Sequence, residues 1–130
     1  MTYAYNREGE KTMNINERLQ TAIQVVTKLG KARALESTLQ HNPPIDNPLG
    51  EGYTGVDKDG KTYRARIGIA DALSGIQRRI TLGRSEDPDD CSYMYRVAHI
   101  ALWGSFSWAE DSLTPAEKYV IDTTRKAMLV

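Results

Sequence analysis

The chain has 130 residues, of which 40% are hydrophobic and 26% charged, a globular composition sufficient for one domain and too short for two ordinary ones. Lys plus Arg number 17 and Asp plus Glu 17, so the net charge is zero, which argues against a protein that coats nucleic acid through charge alone. The single cysteine, Cys91, excludes an intrachain disulfide framework and a four-cysteine metal knot, and no run approaches the roughly 18 apolar residues of a membrane span.

Residues 1–13 are polar and aperiodic, without the apolar core of a signal peptide. They read as a loose leader of an intracellular, cytoplasmic protein, with Met13 as an alternative start. Asn14 and Glu17 have capping-box spacing and open an apolar series at Ile15, Leu19, Ala22, Ile23 and Val26, which Gly30 closes. Lys31 to Leu39 reads as a second, shorter helix carrying Ala32, Leu35 and Leu39. The run from His41 to Gly50, with Pro43, Pro44 and Pro48, breaks regular structure, so residues 14–50 form a helical segment followed by a linker.

The period then switches to two. Tyr53 to Val56 reads as a short strand, Asp59-Gly60 as a hairpin turn, and Thr62 to Ile69 as a second strand. In the latter, Tyr63, Ala65, Ile67 and Ile69 share one face, and Arg64, Arg66 and Gly68 the other. A third strand, Gln77 to Leu82, sets Ile80 and Leu82 against Gln77, Arg79 and Thr81, with Arg78 breaking the alternation near the strand start. Asp87-Pro88 opens a helix that runs to about Trp103 and stops at Gly104. One stripe of that helix (Cys91, Met94, Tyr95, Ala98, Leu102) should lie on the sheet. A second (Tyr93, Val97, Ile100) needs its own cover, from the N-terminal helix or from a partner copy in a homodimer. Thr114 and Glu117 form another capping box, opening a C-terminal helix to about Met128 with Ala116, Val120 and Ala127 inward. The expected fold is α+β: a three-stranded antiparallel sheet packed on one helix over residues 51–108, with extra N-terminal and C-terminal helices, the latter in residues 109–130.

Charge is segregated along the chain. Glu51 to Arg84 holds seven basic and four acidic residues, and Ser85 onward holds four basic and eight acidic. The sheet therefore presents one apolar and one arginine face.

Three fragments in order carry a family likeness: Gly52-Tyr53-Thr54-Gly55-Val56, Gly60-Lys61-Thr62-Tyr63-Arg64-Ala65-Arg66-Ile67, and Arg79-Ile80-Thr81-Leu82-Gly83. Tyr95, Ala98, Gly104 and Phe106 follow at matching separations. The segment from Gly52 to about Trp108 resembles the ethylene-response-factor-type (Apetala-two) DNA-binding domain of plant transcription factors and of phage and bacterial integrases and homing endonucleases. That resemblance implies a sheet inserted in the major groove of double-stranded DNA, with Arg64, Arg66, Arg79 and Thr81 on the reading strands and Lys61 and Arg78 near phosphates. Arginine suits the role because its planar fork can bond guanine O6 and N7 together. The chain departs from many plant members in carrying Thr81 where they place a tryptophan, and Ser85 where a phenylalanine follows Leu-Gly.

Other signals have plainer readings. His41 and His99 lack the neighbours of a zinc site, and His99 reads as packed or on the helix surface. Cys91 reads as a buried, inert thiol. Glu86, Asp87, Asp89 and Asp90 read as helix-capping acids rather than a metal site. Ser85, Ser105 and Ser107 have no nucleophile-elbow context. The expectation is a non-enzymatic protein without metal or cofactor: a DNA-binding regulator or accessory factor of a phage or mobile element. The alternative is a protein-binding module on the same scaffold, such as a phage-encoded inhibitor of a host defence complex. The bland reading of the arginine face is a solvated sheet surface.

Overall fold

Asn14 accepts a hydrogen bond from the Glu17 N–H and donates its own N–H to the Glu17 carboxylate, both at 2.9 Å, so the chain enters a helix (α1, Ile15–Leu29) at the predicted residue. The computed structural model describes residues 13–39, 49–50 and 52–130; the leader through residue 12 and most of the proline-rich linker lie outside the described residues. Helix α1 buries Ala22, Val25, Val26 and Leu29, while Ile23, expected inward, is exposed.

The second predicted helix does not form. Residues 31–39 are an extended strap with one 3-10 turn, Glu36–Thr38. Long-range partners override the local apolar spacing. Arg33 exchanges two backbone hydrogen bonds with Ala70, and Arg125 donates to the carbonyls of Gly30 and Ala32 where α1 ends. The strap is further fastened by His99, fully buried, whose Nε2 lies 2.7 Å from the Thr38 carbonyl. A carbonyl only accepts, so Nε2 carries the proton and Nδ1 accepts from the Ser107 hydroxyl at 2.7 Å. Burial lowers the His99 pKa, against the opposing pull of the Thr38 carbonyl. Below the ordinary histidine range, about 6.5, the unfolded chain takes up a proton that the folded one resists, so stability falls as pH drops. Denaturation at about pH 7 and about pH 5.5 should show this loss, and His99→Gln should flatten it.

The sheet has the order β1-β2-β3, all antiparallel: β1 is Val56–Asp59, β2 is Thr62–Ala70 and β3 is Gln77–Ser85. The first strand thus begins where the predicted one ended. Asp59 pairs with Thr62 across a Gly60-Lys61 turn. Gly55 precedes β1 with φ +78°, and a Cβ there would fall 2.1 Å from a ring carbon of Tyr95. Glycine alone fits. The third strand continues three residues past Leu82 because of a bulge. Ala65 pairs with Gly83 and Arg66 with Thr81, leaving Leu82 as the extra residue, buried, with its carbonyl accepting from Lys28 at 3.0 Å. Gly83 is therefore inside the strand, not in the turn toward the next helix, and a Cβ on it would stand 2.6 Å from the Met94 sulfur.

Helix α2, Pro88–Trp103, is capped by Asp87, whose carboxylate accepts from the Asp89 N–H. Its sheet side buries Cys91, Tyr95 and Ala98 against Ala65, Ile67, Ile69 and Leu82, while Met94 and Leu102 are only partly buried. Its second stripe, Tyr93, Val97 and Ile100, is covered within the chain by α1 and by α3, Pro115–Met128. Tyr93 donates to the Arg18 carbonyl, and the Arg18 guanidinium lies 4.0 Å above its ring. Helix α3 opens on the expected Thr114 and Glu117 box, but turns Glu117 and Ile121 inward; Ala116 and Ala127 are exposed. Among the described residues no helix is long and apolar enough to cross a membrane.

Candidate nucleic-acid interface

The alternation in β2 carries through: Ala65, Ile67 and Ile69 are buried, while Arg64 and Arg66 stand on the opposite, solvent-facing side. Cross-strand pairing brings Arg79 and Thr81 onto that same side, opposite Gly68 and Arg66. Beyond the bulge the alternation of β3 shifts by one, so Arg84, which an unbroken strand would turn to the apolar face, pairs with Arg64 and joins them. Arg78 pairs with Ile69 and is exposed on the other side, and Lys61 is exposed in the hairpin turn. The predicted residues are thus brought together in part: Arg64, Arg66, Arg79 and Thr81 share a face, Lys61 borders it, and Arg78 does not belong to it.

The face is not purely basic. Placing β1 at Val56–Asp59 sets Asp57 and Asp59 on the same side, opposite Arg64 and Thr62. Arg64 gives Nε to Asp57 Oδ1 at 2.9 Å and Nη2 to Asp57 Oδ2 at 3.3 Å, with Nη1 3.6 Å from Asp59. Arg66 gives Nη2 to Asp57 at 2.7 Å, and Arg84 pairs with Asp59. The Arg64 hydrogen bond is the chief force holding Asp57 below the usual carboxylate range, and Arg84 does the same for Asp59. Arg64 is raised by its bond to Asp57. Arg79, Arg78 and Lys61 make no ion pair among the described residues, although Arg78 stands near enough to help lower Asp71, whose carboxyl is held down chiefly by Ser74. The two acids were missed because the turn lies at Gly60-Lys61, one residue later than the expected Asp59-Gly60, and only that register sets Asp57 opposite Arg64.

The remaining candidates have structural duties. Cys91 is fully buried, and burial is the chief cause pushing its thiol up to about 11. Asp87 caps α2, Asp89 accepts from the Tyr53 hydroxyl, and Asp90 accepts from Ser85. Ser107 is held between His99 and the Ala109 N–H. Among the described residues no group of three or more His, Cys, Asp or Glu side chains is placed to hold a metal ion.

Comparisons with protein-family models, with curated proteins and with solved structures find no match for this chain.

Proposed function

We propose that the chain is a non-enzymatic protein that binds duplex DNA with the arginine-bearing face of its sheet, as a regulator or accessory factor of a phage or mobile element. The observation that carries this reading is the set Arg64, Arg66, Arg79, Thr81 and Arg84 on the solvent side of a sheet whose other side is closed by α2. The order of motifs from Gly52 to Phe106, which resembles the ethylene-response-factor-type domain, supports it as well. Phosphates would attract the face, and unengaged guanidinium forks could reach base edges.

Arg64 is engaged by both carboxylates and Arg79 by neither, so Arg79→Ala should cost more binding than Arg64→Ala, about 1–3 kcal/mol if it reads a base. Lys61→Ala should weaken all sequences alike and reduce the salt slope by about one unit. The measurement is a titration against duplexes selected from a random pool, wild type beside Arg64→Ala/Arg66→Ala/Arg79→Ala. Failure to enrich any sequence, with a triple variant that still performs its cellular role, would remove the reading.

A second reading is favoured by Asp57 and Asp59. A lattice of alternating acids and arginines suits a protein partner of complementary charge, such as a host defence complex, better than a polyanion. Asp57→Asn separates the two. It releases Arg66, leaves Arg64 only Asp59 at 3.6 Å, and should tighten DNA binding, whereas it should weaken capture of a protein partner from nuclease-treated host lysate.

A further inference from the structure

The arginine face is not flat. Beyond the start of β1 it sinks into a hollow of about 520 Å³, walled by the strap at Leu35 and Thr38 and floored by Gly68, with Arg66, Arg79 and Tyr95 on its sides. Its volume falls in the range that takes a small ligand.

Among the described residues the floor has one open rung. Every second residue of β2 turns its N–H and C=O toward the β1 side. Arg66 donates its N–H to the Gly55 carbonyl at 2.9 Å, and Ala70 exchanges hydrogen bonds of 2.8 and 3.0 Å with Arg33. Gly68 lies between them with the same direction, but β1 begins at Val56, opposite Ala65, and no residue of the strap pairs with Gly68. Its donor and acceptor therefore face the hollow side by side. A backbone donor and acceptor left open at a partly enclosed edge call for a partner. A single rung closed at both ends cannot seat an extended peptide, which needs several. It suits a compact planar group that donates and accepts along one edge, such as a nucleobase. The absence of a side chain leaves this floor clear, and a Cβ at Gly68 would stand 3.4 Å from Leu35 Cδ1.

The flank is cationic. Arg79 is the cross-strand neighbour of Gly68, makes no ion pair among the described residues, and shares its face with Arg66. Arg66 commits only Nη2, to an Asp57 carboxylate that Arg64 also neutralises. The remaining N–H groups of these two forks match a phosphate.

We propose that this hollow binds a single nucleoside monophosphate, its base edge on the Gly68 N–H and C=O and its phosphate between Arg66 and Arg79. The inference does not rest on duplex binding. The test is titration of the isotopically labelled full chain with adenosine, guanosine, cytidine and uridine monophosphates, following backbone amide resonances, with inorganic phosphate as a separate probe. At least one nucleotide is expected to shift the Gly68 amide saturably, while inorganic phosphate leaves it in place. Arg79→Ala should weaken that binding about tenfold or more, the loss of a charge-assisted contact. Lys126→Ala, on the exposed side of α3, should bind as wild type does. A Gly68 amide that no nucleotide moves at millimolar concentration overturns the proposal. So does a phosphate titration that reproduces the whole pattern, since the base would then contribute nothing. Neither outcome depends on whether the sheet binds duplex DNA.

Discussion

Glu117→Ala should cost about 3–5 kcal/mol of folding stability, because it breaks a buried ion pair by removing one partner. Glu117 Oε2 lies 2.6 Å from Arg18 Nε, and the two side chains are 2% and 10% exposed. The other oxygen, Oε1, accepts the Thr114 N–H at 2.8 Å and so completes the cap of α3. One carboxylate thus joins the first helix to the last and starts the last. Removing it takes a buried carboxylate away from the Arg18 guanidinium, which lies over the Tyr93 ring. Urea unfolding of wild type and variant measures the loss, and a value below about 1 kcal/mol would mean that the pair is solvated, as surface pairs are. Replacing both partners by apolar residues of similar size should recover much of the deficit.

The same pair gives a pH signature. Burial pushes the Glu117 carboxyl up, but the Arg18 hydrogen bond, the Thr114 N–H, the Arg18 charge and the Tyr93 hydroxyl together hold it below its usual value. A depressed folded pKa means that the contribution is complete above the unfolded value, about 4.3, and is lost as pH falls through the folded one. Wild type should therefore lose stability in acid more steeply than Glu117→Ala.

Leu82→Ala is expected to cost about 2–5 kcal/mol, the range for truncating a buried leucine. Leu82 is 2% exposed at the bulge, where it fills the space between β3 and α2. Lys28 of α1 binds its carbonyl, so the backbone is held from a third element and cannot readily collapse into the void. A variant as stable as wild type in the same urea experiment would show that the bulge side chain is not core.

The three helix starts were legible because each is decided within four residues: Asn14 with Glu17, Asp87 with Pro88, and Thr114 with Glu117. The two faces of β2 were legible for the same reason, since period two is a local property. What escaped was set at a distance. Ala32, Leu35 and Leu39 have helical spacing, yet Ala70, His99 and Arg125 hold the segment extended. The inward face of α3 was misassigned because its deepest residue is a charged one, Glu117, whose partner is 99 positions away. At the candidate site, Arg64, Arg66, Arg79 and Thr81 could be placed together by alternation alone. Arg84 could not, since nothing in the sequence announced the bulge. Nor was it legible that one arginine would be tied down and another left unpaired, because that follows from the β1 register.

Strand β3 forms one margin of the sheet, and its nine residues would offer a second molecule a long row of backbone donors and acceptors. Self-pairing is obstructed by what the strand carries. In a parallel, in-register dimer each arginine of the strand would lie beside its twin. Like charges in those positions repel, and the bulge at Leu82 bends the strand away from a flat match. Whatever ligand they meet, these arginines also work against pairing through the strand's own edge.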